Sequence, residues 1–380
     1  MNAGLSLYIH WPFCLSKCPY CDFNSHVADG AVDEDRWRRT LLTEMVHFAA
    51  ETQGKRLDTV FFGGGTPSTM APQTTAALIT AAKDFWPHSE DLEITLEANP
   101  TSVEAGKLRD FAHAGVNRLS LGIQSFNDKS LKFLGREHSA AEALRAISLA
   151  RETFERFSFD LIYGLPGQTA LAWKNELNQA LELAGGHLSL YQLSVEAGTP
   201  FFRDGVPEAD AETGADLYEL THEEMVLSGF NSYEISNYAK PNQHCRHNVA
   251  IWRGGDYIGI GPGAHGRLSN ETATDALYQI HDPARWLEKV ESDGHATAKR
   301  TRLSATERAE ELLLTGLRLS QGIEAARFQA LSGLALASVL DADALARLID
   351  GDFLISDKTS LRATSQGRLC LNAVLAELLG

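Results

Sequence analysis

The 380-residue sequence is short of basic side chains, with 34 lysines and arginines against 50 acids and a net charge of −16. Binding to nucleic-acid phosphates needs a positively charged surface, so this balance argues against a nucleic-acid-binding protein. A run of about 18 apolar residues is also lacking, which argues against a membrane-spanning helix. Met1–Ser6 shows neither the basic nor the apolar part of a secretory signal. These absences predict a soluble cytoplasmic protein and leave peripheral membrane association open.

Cysteine is scarce too, with five residues in the chain. Cys14, Cys18 and Cys21 fall within eight residues directly after the first predicted strand, whereas Cys245 and Cys370 stand alone. An odd, unevenly spread set of this kind is not typical of a disulfide framework. Three thiolates with the spacing C-x3-C-x2-C on one loop can bind three irons of a [4Fe–4S] cube and leave the fourth iron open. The spacing therefore predicts an iron–sulfur cluster with a free coordination site.

Two other interpretations of this loop are weaker. A structural zinc site needs four ligands in a closed tetrahedron, and the nearby His10 and His26 do not have the usual zinc spacing. The three thiols could instead be unligated structural residues. The close spacing favours the cluster over both alternatives.

Short apolar runs alternate with amphipathic stretches through the first 200 residues, and each run is bounded by Gly, Pro, Asn or Asp, as strands usually are. The predicted strands are Leu5–His10, Thr59–Phe62, Leu92–Ala98, Arg118–Gly122, Phe157–Ile162 and His187–Leu193. The predicted helices between them are Asp33–Glu51, Gln73–Phe85, Val103–His113, Ala140–Arg151 and Ala170–Leu183. Six strand–helix repeats predict an α/β fold, a partial (β/α)6 barrel that is open on one side, rather than a flat doubly wound sheet.

The pattern loosens after Pro200. A helix is predicted over Ala211–Leu227, and Gln243–Arg267 is rich in His, Gly and Arg, with a tight loop predicted over Gly259–Gly266. From Ser304 onward, helical spacing of apolar residues and a short strand predict a compact α+β domain that resembles a winged helix. Residues 301–380 contain 8 basic and 10 acidic residues, which disfavours DNA binding. We predict three units, at residues 1–240, 241–300 and 301–380.

Polar residues follow several of the predicted parallel strands. Glu97, Gln124 and Asp160 lie at or just after the ends of strands three to five, and Arg136 follows a little later. Each alone could be a surface or capping residue. Gly63–Gly65 follows the second strand; no Lys-Ser or Lys-Thr comes after it, so it is not a phosphate loop, but its backbone can approach a ligand closely. Because barrel folds bind ligands at the carboxyl ends of their strands, we predict a polar ring around one ligand there.

The cysteine loop resembles the signature of the radical SAM superfamily, in which S-adenosylmethionine chelates the open iron. The wider match is to the branch that contains oxygen-independent coproporphyrinogen III dehydrogenase (HemN) and the HemW family, and it covers nearly the whole chain, including a HemN-type C-terminal domain. The motifs that carry it are Tyr8-Ile-His-Trp-Pro-Phe-Cys14, Phe62-Gly-Gly-Gly-Thr-Pro67, Glu97-Ala-Asn-Pro100, Gly122-Ile-Gln-Ser-Phe126, Leu134-Gly-Arg136 and Asp160-Leu-Ile-Tyr-Gly-Leu-Pro166.

This resemblance implies a set of cofactor contacts. The three cysteines would bind the [4Fe–4S] cluster as metal ligands. The residues implied in binding S-adenosylmethionine are Tyr8, Tyr20, Gly64, Gly65, Thr66, Glu97, Gln124, Arg136, Asp160 and Ser194. No catalytic residue is assigned.

Two features separate the HemW family from the dehydrogenase. The dehydrogenase motif continues with a fourth cysteine, where this sequence has Phe23, as HemW proteins do. The segment from Cys245 to Trp252 resembles the proposed HemW haem motif His-Asn-x-x-Tyr-Trp, with Ile251 at the tyrosine position. The resemblance thus implies that His247, Asn248 and Trp252 contact haem; a neutral imidazole is a common axial ligand. The alternative for His247 is a histidine buried in a hydrogen-bond network.

The function implied by the resemblance is that of a radical SAM haem chaperone, which binds a [4Fe–4S] cluster, S-adenosylmethionine and haem and transfers haem to apo-haemoproteins. The alternative is an oxygen-independent coproporphyrinogen III dehydrogenase of porphyrin biosynthesis, and a radical enzyme with an unrelated substrate is a third class. The sequence leaves open whether the protein is an enzyme, whether S-adenosylmethionine is cleaved, which protein accepts haem, which residue is the axial ligand, what the C-terminal domain does and what the oligomeric state is.

Overall fold

A computed structural model describes residues 4–28, 30–270 and 273–379. Met1–Ala3, which form half of the Met1–Ser6 segment without a secretory signal pattern, lie outside these ranges. The first half of the chain alternates strands with helices. In chain order its elements are β1 Gly4–Trp11, β2 Phe13–Cys14, β3 His26–Val27, α1 Glu34–Glu51, β4 Arg56–Gly64, a 3-10 turn Pro67–Thr69, α2 Pro72–Phe85, β5 His88–Ala98, α3 Ser102–Ala105, α4 Leu108–His113, β6 Arg118–Gln124, α5 Asp128–Phe133, α6 Ala140–Thr153, β7 Arg156–Tyr163, α7 Ala170–Leu183 and β8 His187–Gln192.

Six of these strands form a parallel sheet in the order β1-β4-β5-β6-β7-β8, which confirms the six predicted strand–helix repeats. Strand β6 shows how the sheet is built. Its Leu119, Leu121 and Ile123 are completely buried in the main apolar core. Ser120 and Gly122, between them, lie on the opposite face of the sheet. This period of two gives the sheet one apolar face under the helices and one face that can bind a ligand.

The helix boundaries follow local capping. Ser139 caps α6: its hydroxyl accepts the Glu142 N–H, and the Glu142 carboxylate accepts the Ser139 N–H. This reciprocal pair explains why the predicted start at residue 140 is confirmed. The predicted helix Val103–His113 is wrong as one element, because it breaks into α3 and α4 around Gly106, a residue type that disfavours helix.

The following region extends the same sheet at both edges. Strand β11 pairs in parallel with β1, followed by antiparallel β12, β13 and β14, while β10 and β9 continue beyond β8. The tight loop predicted over Gly259–Gly266 is wrong at its ends, which belong to β11 and β12; only residues 261–264 form the loop. The elements are α8 Pro200–Arg203, α9 Ala211–Leu227, β9 Asn231–Ser232, β10 Asn237–Ala239, α10 Arg246–Trp252, β11 Asp256–Ile260, β12 His265–Ser269, β13 Thr274–Gln279, α11 Pro283–Asp293 and β14 Thr297–Arg302.

The residues from the Ser304 capping box onward pack around a second apolar core that includes Leu313, Phe328, Leu361 and Val374. Helices surround a three-stranded antiparallel sheet in the order β15-β17-β16. None of the helices in the described ranges is long and apolar enough to cross a membrane. The elements are α12 Ala305–Gly316, β15 Ile323–Glu324, α13 Ala325–Ser332, a 3-10 turn Leu336–Ser338, α14 Ala342–Asp350, β16 Leu354–Ser356, β17 Ser360–Ala363, α15 Ser365–Leu369 and α16 Leu371–Leu379. The boundaries of the three predicted units stay a prediction.

Candidate functional site

The three clustered cysteines lie on a loop that folds back on itself between β1 and α1. Its two arms pair as β2 and β3, and the His26 N–H donates to the carbonyl oxygen of Pro12 at 2.8 Å. Lys17 Nζ donates to the Ser25 carbonyl oxygen at 3.1 Å, and the Cys21 N–H donates to the Cys18 carbonyl oxygen at 3.1 Å. These bonds fix the shape of the loop, whose thiols border a cavity.

This cavity of about 400 Å³ opens at the carboxyl ends of the parallel strands. We call it the thiol cavity. All three clustered cysteines line it, together with nine of the ten residues implied in binding S-adenosylmethionine: Tyr20, Gly64, Gly65, Thr66, Glu97, Gln124, Arg136, Asp160 and Ser194. Residues separated by up to 180 positions therefore meet at one place, as the strand-end argument predicted.

A chain of hydrogen bonds joins two of the thiols across the cavity wall. Thr66 Oγ1 contacts Cys14 Sγ at 3.3 Å and accepts from Asn99 Nδ2 at 3.1 Å. Arg136 donates from Nη1 to Cys18 Sγ at 3.3 Å and from Nη2 to Asn99 Oδ1. Sequence reasoning did not single out Asn99, although it lies within the motif Glu97-Ala-Asn-Pro100 that carried the resemblance.

Burial and the neighbouring groups set the pKa of Cys14 in this wall. Burial raises the pKa of Cys14, the Thr66 hydrogen bond and the Arg136 charge lower it, and the neighbouring Cys18 and Cys21 thiols raise it further. The thiols are thus close enough to influence one another's ionisation, and iron coordination would hold all three as thiolates. The donor set fits a [4Fe–4S] cube bound at three corners.

Two carboxyl groups, those of Glu97 and Asp160, line the thiol cavity. Burial and the Asp160 carboxylate raise the pKa of Glu97 from 4.5 to about 8, although its carboxylate accepts the Gly64 N–H. Burial likewise raises the pKa of Asp160 to about 6, against a hydrogen bond from Ser189. Both groups would be stabilised as carboxylates by a cationic ligand, such as a sulfonium or an ammonium group.

The glycine run at the end of β4, which includes Gly63 and Gly64 in the strand and Gly65 after it, is required by the cysteine loop itself. A Cβ at Gly65 would lie 2.8 Å from the backbone of Pro12 and Phe13, and one at Gly64 (φ +114°) would lie 2.6 Å from the His10 ring. The close approach predicted for these glycines is therefore first an approach to protein, with the cavity on their other side. Gln124, at the end of β6, has φ 68°, a conformation that costs free energy outside glycine and is concentrated at ligand sites.

The remaining predicted residues lie elsewhere. Tyr8 lines a second open cavity of about 370 Å³, beside the first. His247, Asn248 and Trp252 all lie on or within α10 and line neither cavity. His247 is 3% exposed, with its ring stacked on Phe61 at 4.9 Å between centroids and its Nδ1 2.8 Å from Thr59 Oγ1.

Trp252 and Asn248 also have partners within the protein. The Arg318 guanidinium lies over the Trp252 ring, 4.6 Å from its centroid. The Asn248 backbone contributes a hydrogen bond to the Cys245 thiol. Of this segment, Ile251 is the residue that lines the second cavity.

Comparisons with known proteins identify the architecture. The Radical SAM superfamily model matches residues 8–180, and the HemN C-terminal domain model matches residues 303–370. The solved structure of coproporphyrinogen III oxidase (HemN) from Escherichia coli superposes with a TM-score of 0.84 over 99% of this chain and 90% of that chain, at 22% identity. These matches confirm the predicted fold class, a partial radical SAM barrel with a HemN-type C-terminal domain.

Curated relatives match over nearly the whole chain. Heme chaperone HemW of Escherichia coli is 38% identical over 98% of this chain and 97% of its own length, and that of Haemophilus influenzae is 36% identical over the same shares. The mitochondrial radical S-adenosyl methionine domain-containing protein 1 of Bos taurus is 39% identical over 98% of this chain and 87% of its own. Identity of this extent confirms the resemblance found in the motifs: the chain belongs to the HemW family of the radical SAM superfamily.

Proposed function

We propose that this protein is a haem chaperone that binds a [4Fe–4S] cluster and S-adenosylmethionine in the thiol cavity and delivers haem to apo-haemoproteins. The observation that carries the proposal is the convergence of three thiols and nine polar or glycine residues on one cavity. The names of the HemW relatives support haem as the cargo.

Some residues of the cavity would bind the cluster, and others would bind S-adenosylmethionine. Cys14, Cys18 and Cys21 would hold the cluster, which would supply an open iron for S-adenosylmethionine to bind. Glu97 and Asp160 offer negative charge to its cationic groups, and Arg136 fixes Cys18. Gly64, with its N–H bonded to Glu97, keeps that carboxyl in place.

Phe23 argues for carriage of haem rather than decarboxylation of a porphyrinogen. It occupies the position of the fourth cysteine of the dehydrogenase motif, and its ring is 60% exposed at the rim of both cavities. An exposed aromatic ring cannot supply a thiol, but it can pack on a flat apolar ligand. The dehydrogenase remains the alternative function, supported by the shared fold alone.

One experiment separates the two functions. The full chain, reconstituted with iron and sulfide without oxygen, is loaded with haem and mixed with apomyoglobin, while a parallel sample receives S-adenosylmethionine, a reductant and coproporphyrinogen III. We expect the haem Soret band to move to that of myoglobin and no protoporphyrinogen IX to form. Porphyrinogen turnover without stable haem binding would instead establish the dehydrogenase. Free haem at the same concentration is the control for spontaneous uptake.

The half-buried Glu97 carboxyl predicts a pH dependence. Because folding raises its pKa from 4.5 to about 8, the favourable contribution of the neutral form is complete below the unfolded pKa and is lost as pH rises through about 8. Glu97→Gln, which cannot ionise, should therefore unfold at a higher temperature than the parent near pH 9, with the difference shrinking towards pH 5.

The same carboxyl should release a proton when S-adenosylmethionine binds at neutral pH, because the cation favours the ionised form. Calorimetry in two buffers of different ionisation enthalpy measures this release, and Glu97→Gln should abolish it and weaken binding about tenfold or more. Glu155→Gln, at an exposed position, is the control. Equal proton release by the parent and Glu97→Gln would contradict this assignment.

A further inference from the structure

The second cavity offers apolar surface to a flat ring beside the polar side chains of His10, Asn24 and Glu97. Phe23, Ile251 and Tyr257 contribute apolar or aromatic surface, and the cavity is open to solvent on one side. It shares Phe23, Gly64 and Glu97 with the thiol cavity, so a ligand in one is directly beside a ligand in the other. We call it the His265 cavity, after the histidine at its edge.

Three histidines border this cavity or pack directly behind its wall, and two of them are already engaged. His10 is 5% exposed, and its ring nitrogens contact Tyr8 Oη at 3.1 Å and the Asn24 carbonyl oxygen at 2.9 Å. His247 lies behind Tyr8, 6.4 Å between ring centroids, with Thr59 on its Nδ1. Its Nε2 has no partner among the described residues, but the ring is stacked on Phe61 and does not border the cavity.

His265 differs from both. It is exposed at the start of β12 and borders the cavity. Its ring packs edge-on against Tyr278, 4.5 Å between centroids, and within the described ranges neither ring nitrogen takes part in a hydrogen bond found in the structure. An imidazole that is held by an aromatic neighbour, yet has free nitrogens at an apolar cavity, is suited to bind a metal.

The backbone around His265 is firmly built. The buried Glu44 carboxylate accepts the Gly261 N–H at 2.8 Å, and the Gly263 N–H donates to the Ile280 carbonyl oxygen at 2.9 Å. Asn24, on the cysteine loop, donates from Nδ2 to the Pro262 carbonyl oxygen at 2.9 Å. The loop before His265 is thereby tied to the loop that carries the three thiols, which preorganises the imidazole relative to the thiol cavity.

We infer that the His265 cavity is the haem seat and that His265 supplies the imidazole ligand to the haem iron. This inference rests on the proposed haem chaperone function. His247 acts as a positioning residue, since it packs behind Tyr8 and Phe61 and fixes α10, whose Ile251 forms a wall of the cavity. Ile251 stands at the tyrosine position of the family motif and has no atom that can bind iron. Of the two histidines that line the cavity, His10 is buried and already hydrogen-bonded, so His265 is the imidazole that the cavity offers to a haem iron.

The test is a titration of the reconstituted full chain with ferric haem, followed by absorption and electron paramagnetic resonance spectra. His265→Ala should lose the spectral signature of an imidazole-bound iron and bind haem about tenfold or more weakly. Added imidazole should restore the signature. His281→Ala, an exposed histidine nearby whose side chain does not border the cavity, is the matched control and should bind as the parent does. Unchanged thermal unfolding verifies that each variant is folded.

Further variants keep the outcomes distinct. Phe23→Ala should weaken haem binding while leaving the imidazole signature in place, because it removes a wall and not the ligand. Parental spectra in His265→Ala, with loss of the signature in His247→Ala, would overturn the inference and leave the chaperone function standing. Failure of the parent chain to bind haem would overturn both.

Discussion

Replacing any one of Cys14, Cys18 or Cys21 with alanine is expected to abolish the iron–sulfur cluster. Each thiolate would bind a different iron of the cube, so the protein has no spare ligand of the same type on that loop. The next thiol, Cys245, is buried beside Glu93, and Cys370 lies on the C-terminal domain. Neither can move to the thiol cavity without unfolding its surroundings.

The measurement is the iron and acid-labile sulfide content per chain after reconstitution without oxygen. Cys370→Ala is the matched control, because it removes a partly exposed thiol outside the cysteine loop, which donates to the Gln366 carbonyl oxygen of the preceding helix. We expect full cluster content in this control and near-zero content in the three loop variants. Full iron and sulfide in all three would show that these cysteines are not the cluster ligands, and zinc in place of iron and sulfide in the parent would establish the tetrahedral alternative.

The parallel core could be predicted because its strands carry their own signal. Each is an apolar run bounded by turn residues. Such a run predicts a buried strand from the local sequence alone, without information about distant parts of the chain. Strand β14, Thr297–Arg302, has no such signal: its sequence is polar, its residues are mostly exposed, and it exists because it pairs with β13. Edge strands of this kind depend on a partner rather than on local pattern.

The thiol cavity was predictable for a related reason. Once strands are parallel and sequential, their carboxyl ends share an edge, so Glu97, Gln124 and Asp160 had to come together. The position of His247 was not predictable in this way. On a helix of seven residues the buried face is chosen by packing against β4, where Thr59 and Phe61 receive the imidazole, and these contacts join positions far apart in sequence.

Loss of the Glu93 charge is expected to destabilise the fold more than removal of any surface ion pair. The Glu93 side chain is fully buried and accepts from Arg156 Nη1 at 2.6 Å and from the His247 N–H at 3.1 Å. Burial alone would raise the pKa of Glu93, but Arg118 and Arg156 hold it below its ordinary value. Glu93→Gln would leave the largely buried Arg156 without its ion-pair partner and would remove a negative charge beside the buried Arg118, which costs about 3–5 kcal/mol in the free energy of unfolding.

The matched control is Glu291→Gln, which breaks the ion pair with Arg36, in which both side chains are 41% exposed. Such a surface pair contributes roughly 0–1 kcal/mol. Urea denaturation of both variants and the parent measures the difference, and equal losses would contradict the assignment. The pKa of Glu93 also gives the sign of a pH test. Because folding lowers it, the stabilisation is present above the unfolded pKa and is lost as pH falls through the folded one.

The difference in the free energy of unfolding between the parent and Glu93→Gln should therefore become smaller at acidic pH. Glu93 also connects β5 to the start of α10, through the His247 N–H and the Cys245 thiol. If His247 positions the wall of the His265 cavity, a folded Glu93→Gln should bind haem more weakly while retaining the imidazole signature, because α10 loses its anchor and His265 does not. Glu93 would then contribute to haem binding through the position of a helix rather than through any contact with the ligand.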